Sequence, residues 1–427
     1  VTGLPRVRVE VGFTSPFVGD FFTVGDPERG QVGVSPIGPD GIWSGITAWV
    51  RSWSYRRGVN NGNQPTRRYE PGTCTVVLND PDRRFDPDNL DGPFVTAGRT
   101  EIEPMRRLRI LAEWGGKVYP LFYGYTDDWI PEYLGNSWTY VTVTATDGSK
   151  LLDKDRPTAV GPFGNNELTG ARIDRVLTSL AWPFADRIID TGATAVQATA
   201  LSGNGMSELQ LVQDTELGEF YIDVNGKAVF RDRLATLTDP RSTLSQVTFG
   251  DGGYDATGEL PYLDTKPSNP SDGMANTVTI TRVGGAPQQA IDADSVDRYL
   301  ERPFDRSDLI HMSDSDVRTY ADAVLYRHAN PGRRFAEVTF QRPRVAIEDV
   351  LWPAVLGRDF GDRITVIRRP SGGGSPIEQD CFIRGVGHAS EGHRWDTTFV
   401  LENAQKYSFF TIGHPDLGQV GVHPITY

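Results

Sequence analysis

Arg6–Phe13 (RVRVEVGF) alternates valine with polar residues, the period-two pattern of a half-buried strand. The alternation returns in Gly45–Arg56 (GITAWVRSWSYR) and Gly72–Leu78 (GTCTVVL). The Asn- and Gly-rich run GVNNGNQPT lies between them, so strand, loop, strand is the simplest reading. Leu108–Trp114, Val118–Tyr125 and Ser137–Thr146 (SWTYVTVTAT) add three more strands. Roughly six strands before Asp147 predict a closed or nearly closed barrel, which removes exposed edges.

The period changes after Thr146. Asp147–Leu152 (DGSKLL) opens helically, and Gly170–Pro183 sets Ile173, Val176, Leu177 and Leu180 at helical spacing, so an amphipathic helix ends at Pro183. A second helix is expected from Met206 to about Leu217, capped by Asn204 or Ser207, and Glu219–Arg231 (EFYIDVNGKAVFR) reads as a hairpin about Asn225-Gly226. A linker rich in Pro, Asp and Gly covers Gly250–Gly273. Beyond it lie a strand at Ala275–Val283, a helix at Ser315–Asn330 and strands at Phe335–Arg342, Ile364–Arg368, Gln379–Val386 and Trp395–Glu402.

The expected fold class is therefore mainly β with a mixed α+β middle region and two barrel-like β domains. Residues 1–148 form the first, with a long loop at 79–105 and an arm at 21–37; residues 149–245 form the mixed domain. Residues 246–402 form the second barrel-like domain, with helix 315–330, and 403–427 form a C-terminal arm.

The two arms repeat each other. Phe21–Ile37 (FFTVGDPERGQVGVSPI) and Phe409–Ile425 (FFTIGHPDLGQVGVHPI) differ only at Val24/Ile412, Asp26/His414, Glu28/Asp416, Arg29/Leu417 and Ser35/His423. So much Gly and Pro excludes a helix and describes an extended, turn-punctuated segment that docks on something. Either the copies pack on their own chain or both dock on equivalent sites of a repeated partner. Phe21, Phe22, Gly25, Pro27 and Gln31, with Phe409, Phe410, Gly413, Pro415 and Gln419, are the candidate partner-binding residues.

A length of 427 residues calls for two or three cores, and 46 Gly with 29 Pro fit a turn-rich β protein. The net charge of -13 argues against specific nucleic-acid binding, which needs clustered Lys and Arg. Cys74 and Cys381 are too few for a disulfide framework or a metal knuckle, and each falls in an expected strand. No run is long and apolar enough to insert in a membrane, and the N-terminus lacks a signal-peptide pattern, so synthesis in a cytoplasm is expected.

Catalytic signatures are missing: there is no GxSxG, HExxH, GxxxxGK or strand-following GxGxxG. No catalytic residue, metal ligand or cofactor is assigned. Asp80, Asp82, Asp86 and Asp88 have the spacing a calcium loop tempts one to see. Phe85 stands where an EF-hand needs Gly, so Asx turns and pairing with Arg83 and Arg84 are the favoured account. His388 and His393 flank a Glu391-Gly392 turn and read as solvated imidazoles at a hairpin tip. Trp43, Trp49, Trp53, Trp114 and Trp129 either fill a core or line a sugar-binding surface.

The run RRGVNNGNQPTRRYEPGTCTVVLNDPDRRFDPDN, followed by EPMRRLRILAEWGGKVYPLFYGYTDDW, closely resembles the minor tail proteins of long-tailed phages that infect actinobacteria. The matching positions are Arg57-Gly58, Gly72-Thr73, Leu78-Asn79, Phe85-Asp86-Pro87, Phe122-Tyr123-Gly124 and Asp128-Trp129. Later blocks (TATDGSKLL, QDTELGEFYIDVNGKAVFRDR, NTVTITRVGG, LGRDFGDRITVIRRP and FIRGVGHASEGHRWDTTFVLEN) extend the likeness over nearly the whole chain. The resemblance implies a baseplate-hub-like, tail-tip structural protein of the virion. Its expected form is a homotrimer in which two similar modules per subunit meet a six-fold tube. The implied partners are the distal tail protein, the tape measure protein and other minor tail proteins. Competing readings are a distal tail ring, a tail-associated cell-wall hydrolase or peptidase, and a receptor- or sugar-binding tip module.

Overall fold

The computed structural model describes residues 3–13, 43–59, 65–96, 98–134, 138–153, 160–201, 203–268, 271–332 and 334–404. Seven strands build the first β region: β1 (Arg6–Gly12), β2 (Trp43–Gly45), β3 (Val50–Gly58), β4 (Glu70–Asn79), β5 (Arg107–Trp114), β6 (Lys117–Leu134) and β7 (Trp138–Thr146). They pair antiparallel in the order β3-β4-β7-β6-β5-β1-β2. Alternate residues turn inward, as the sequence pattern requires: Val9 and Val11, Cys74, Val76 and Leu78, Leu108 and Ile110, and Val141 and Val143 are all buried in one core.

The middle region holds α1 (Thr169–Ser179), β8 (Arg187–Ile189), α2 (Gly205–Glu216), β9 (Glu219–Ile222) and β10 (Ala228–Arg231). Ile173, Val176 and Leu177 of α1 meet Leu209 and Val212 of α2 over Phe220 and Phe230 of the hairpin. The Asn204 side chain accepts the N–H groups of Met206 and Ser207, which settles the start of α2. In the hairpin turn, Asp223 accepts from the N–H groups of Asn225 and Lys227, and Gly226 takes the positive φ of 83° that the turn demands.

The elements beyond include β11 (Thr248–Gly250), β12 (Asp264–Ser268), β13 (Thr277–Arg282), β14 (Gln288–Ile291), β15 (Pro303–Leu309), α3 (Asp314–His328), β16 (Arg334–Gln341), α4 (Glu348–Leu356), β17 (Arg363–Arg368), β18 (Ile377–Glu391) and β19 (Arg394–Asn403). Helix α3 covers a separate small sheet, β14-β13-β15, burying Val317, Tyr320 and Val324 against Val278, Ile280 and Leu309. A Ser313–Asp316 capping box starts α3.

The sequence predicts two barrel-like β domains; the structure is mainly β as expected, but its strands are arranged differently. Strands of both β regions join one 13-stranded sheet, β12-β16-β19-β18-β3-β4-β7-β6-β5-β1-β2, with β17 on β18 and β11 on β17. Among the described residues no sheet closes on itself. The physical reason is at β18. One of its edges is shared, Ile377–Phe382 pairing with β17 and Gly385–Glu391 pairing with β3. The first region's edge strand is thus satisfied by the second region instead of by its own last strand.

Among the elements that escaped the periodicity, two matter here. The expected linker contains β12, an edge strand carrying Pro267, in keeping with the place proline takes in sheets. Helix α4 contains Pro353 and no one-sided apolar stripe, because it is buried between two cores. Trp352 and Leu356 enter the first core, while Leu351 and Val355 enter the second. The Trp352 indole N–H also donates to the Gly3 carbonyl at 3.2 Å, and Gly3 N–H donates to Glu348 at 2.8 Å.

Candidate functional site

The arm residues Phe21, Phe22, Gly25, Pro27, Gln31, Phe409, Phe410, Gly413, Pro415 and Gln419 all lie outside the described residues. Within them, the densest chemistry is a buried joint where the two β regions and the middle region meet. It begins at a bulge. The β18–β19 register shifts between Ile383 and Gly385, and Arg384 stands at that irregularity, where β17 gives way to β3 along β18.

Arg384 has no exposed surface. Its Nη1 donates to Glu219 Oε1 at 2.5 Å and its Nε to Glu402 Oε2 at 2.8 Å. Arg67 Nη1 donates to the same Glu402 oxygen at 2.6 Å and stands 3.4 Å from Glu219. Arg231 Nη1 lies 3.8 Å from Glu219, and the Tyr69 hydroxyl donates to Glu219 Oε2 at 3.3 Å. Three guanidinium groups thus surround two buried carboxylates. Burial pushes the Glu219 carboxyl up, but Arg384, Arg67 and Arg231 outweigh it and hold the group below the ordinary Glu range.

A second layer sits beside it. Arg57 donates to the Ile222 carbonyl at 3.1 Å and to Asp359 at 3.3 Å, with its guanidinium 4.6 Å from the Phe360 ring centre. Tyr69, Tyr221 and Phe360 pack mutually at centroid distances of 5.0 to 5.1 Å. Arg241 chelates Asp362 with both nitrogens at 2.6 Å, and Ser242 donates to the Gly361 carbonyl at 2.8 Å. The segment 359–362 is thereby tied to β3, β9 and the chain after β10. Nothing in this cluster is a nucleophile beside a base; Glu219, Glu402, Asp359 and Asp362 are each paired with a guanidinium group from another region of the same chain. Chemically it is a joint.

Sequence reasoning missed the joint because Glu219 and Arg384 lie 165 residues apart and Arg67 and Glu402 lie 335 apart. No local pattern signals such partners. The block LGRDFGDRITVIRRP, which holds Asp359, Phe360 and Asp362, was visible only as a resemblance.

The residues singled out for chemistry fall elsewhere. Asp80 accepts the N–H groups of Arg84 and Phe85 at 2.8 and 3.0 Å, and Phe85 is fully buried. Asp86 accepts from Arg83 at 2.7 Å and from the Tyr133 hydroxyl at 2.6 Å, while Asp82 pairs with Arg84 at 2.6 Å. The loop is held by Asx-type bonds and arginine pairing, and no metal-holding group of acids or histidines occurs among the described residues.

His388 is corrected by the structure. It is buried, and its Nδ1 stands 3.1 Å from the Trp395 indole N–H and 2.8 Å from the Thr397 hydroxyl; only His393 is exposed at the hairpin tip. Period-two alternation puts His388 inward, because the strand runs on past the expected end at Val386 to Glu391 before turning. The tryptophans likewise face inward: Trp53, Trp114 and Trp129 are buried, Trp53 and Trp352 each pack edge-on against Trp395, and Trp43 and Trp49 are half-buried. They form core rather than a sugar platform.

No helix of the described residues is long and apolar enough to cross a membrane. No family model matches the sequence, and no curated protein matches it. Solved structures do match in fold. The 43 kDa tail protein of prophage MuSo2 from Shewanella oneidensis superposes with a TM-score of 0.54 at 13% identity, covering 94% of this chain and 98% of that one. The tail protein from Neisseria meningitidis MC58 gives a TM-score of 0.55 at 12% identity, covering 93% of this chain and 96% of that one. The chain therefore shares, nearly end to end, a fold found in tail proteins.

Proposed function

We propose that this protein is a structural subunit of a phage tail tip, assembled as a ring at the end of the tail tube. The observation that carries this reading is the nearly end-to-end likeness in fold to two tail proteins, of which it spans 98% and 96%. The buried joint supports it, since a ring that bears load needs subunits whose regions do not swing. In this reading the two β regions are the paired modules that let three subunits meet a six-fold neighbour. The arms at 21–37 and 409–425 dock on equivalent sites of that neighbour, the distal tail ring, with the tape measure protein and other minor tail proteins as further partners. No enzymatic step is assigned to the chain. Asp86, the carboxylate a hydrolase reading leaned on, is held below the ordinary Asp range: burial pushes it up, and bonds from Tyr133, the Asp88 N–H and Arg83 outweigh that.

The test is the mass of the full chain in solution. Three copies of 47.1 kDa give about 141 kDa. A chain that stays monomeric at all concentrations refutes the ring. Removing Phe409–Tyr427 leaves the melting temperature unchanged and blocks attachment to tails if the arm is an external dock; an early-melting or aggregating truncation shows instead that the arm is intrachain structure.

A further inference from the structure

Leu300 has φ 64° and ψ 165°. This combination is essentially open to glycine alone, because a Cβ collides with the backbone there. Leucine nevertheless occupies it, and its side chain is 75% exposed. Local conformation favours glycine at this point, and the chain's own core gives no reason for leucine.

The strained turn is held by a buried clamp. Asn276, with no exposed surface, donates its side-chain N–H to the Leu300 carbonyl at 2.9 Å and accepts the Arg302 N–H at 2.6 Å. It also donates to the Ser295 hydroxyl at 3.1 Å, tying down the short helix Ala293–Tyr299, in which Ser295 is the buried residue. The result is a ridge across one end of the small β14-β13-β15 sheet, with Ile291, Tyr299 and Leu300 exposed along it. Beside the leucine stand Glu301 and Arg302, both exposed, and neither makes an ion pair among the described residues.

A hollow of about 350 Å³ lies on the outer face of the main sheet, at the β3–β18 seam between the two β regions. Gly387, Ala389 and Val400 give it a floor of small and apolar residues, bordered by Thr73, Thr75 and Thr398, while Tyr55 and Val386 turn their side chains into the cores behind the sheet. Arg56 and Glu337 stand at its lining, exposed, and neither makes an ion pair among the described residues. Ridge and hollow thus each carry one free acid and one free base beside an apolar feature.

We propose that Leu300 is a preset knob that seats in this hollow on a neighbouring copy of the same chain, with Glu301 meeting Arg56 and Arg302 meeting Glu337. A ring of more than two identical subunits joins unlike faces, so a knob and a recess on different parts of one chain are what such closure needs. The clamp by Asn276 fixes the knob before contact, so little order is lost on binding. This inference rests on the ring reading and names the contact within it.

The experiment uses the full chain and follows subunit dissociation by mass photometry, with melting temperature as a parallel readout. Leu300→Gly relieves the backbone and raises the melting temperature of the isolated chain, yet dissociates roughly 10- to 100-fold more readily, the loss expected for one buried leucine. Glu301→Arg and Arg56→Glu each weaken the assembly, and the two together restore it. The double variant Ile291→Ser/Tyr299→Ser, which leaves the backbone untouched, weakens it as well. A wild-type ring with a Leu300→Gly ring of equal stability overturns the knob and leaves the ring standing. Failure of the charge exchange to restore assembly overturns the hollow as its seat. A monomeric wild type overturns both the ring and this contact.

Discussion

Arg384 and Glu219 are in contact at 2.5 Å across 165 residues of chain, and neither is exposed to solvent beyond 4% of its side chain. Two ions taken out of water at that cost stay charged only because further partners complete them: Glu402 on Arg384, and Arg67, Arg231 and Tyr69 on Glu219. The bulge at Arg384 aims the guanidinium, and β9 of the middle region supplies the carboxylate.

Removing one member should therefore expose the cost that the others offset. Arg384→Met leaves Glu219 and Glu402 in an apolar space short of one cation. It is expected to destabilise the chain by about 3 to 5 kcal/mol. Denaturant midpoints measure this, and a loss under about 1 kcal/mol, the level of a surface pair, shows the cluster is not a joint.

Acid should loosen the same seam through a different group. Burial lowers His388 from 6.5 to about 3, and burial likewise lowers His311 to about 4. A folded pKa below the unfolded one means that the unfolded chain takes up protons first. Stability from both histidines is complete above pH 6.5 and falls as pH drops through about 4 for His311 and about 3 for His388. Asp147 and Asp362, whose carboxyls burial pushes up, act with the opposite sign at the lower end of this range. Melting temperature against pH should decline from pH 6.5 downward, and His388→Gln should flatten part of the decline. An unchanged slope in that variant removes His388 from the account.

The aspartate loop offers a local test. Asp80→Ala strips the acceptor from the Arg84 and Phe85 N–H groups and releases the buried Phe85, at a cost of about 1 to 3 kcal/mol. Asp86→Asn, whose partner Arg83 is half exposed, should cost less. Millimolar calcium should leave the wild-type melting temperature where it is. A calcium-dependent rise lost in Asp80→Ala contradicts the account of a loop held by its own hydrogen bonds.

How much was legible follows from the range of each interaction. Strands β1, β4, β5 and β7, helices α1, α2 and α3 and the Asn-Gly hairpin were readable because their causes are local: alternation, helical spacing, an Asn204 cap and a turn at Gly226. Helix α4 was not readable, since Leu351 and Trp352 face different cores and no stripe forms. The candidate arms were legible as a repeat, but a repeat names no partner.

The sequence by itself determined a mainly β chain with a mixed middle and the inward face of most strands, since pleat and helix periods are properties of neighbouring residues. Only tertiary structure decided that β18 joins β3 to make one sheet of two regions, that His388 points inward, and that Arg384 finds Glu219 and Glu402. Those outcomes depend on which edge strands and which buried charges satisfy one another, and such pairings carry no mark within a few residues of either partner.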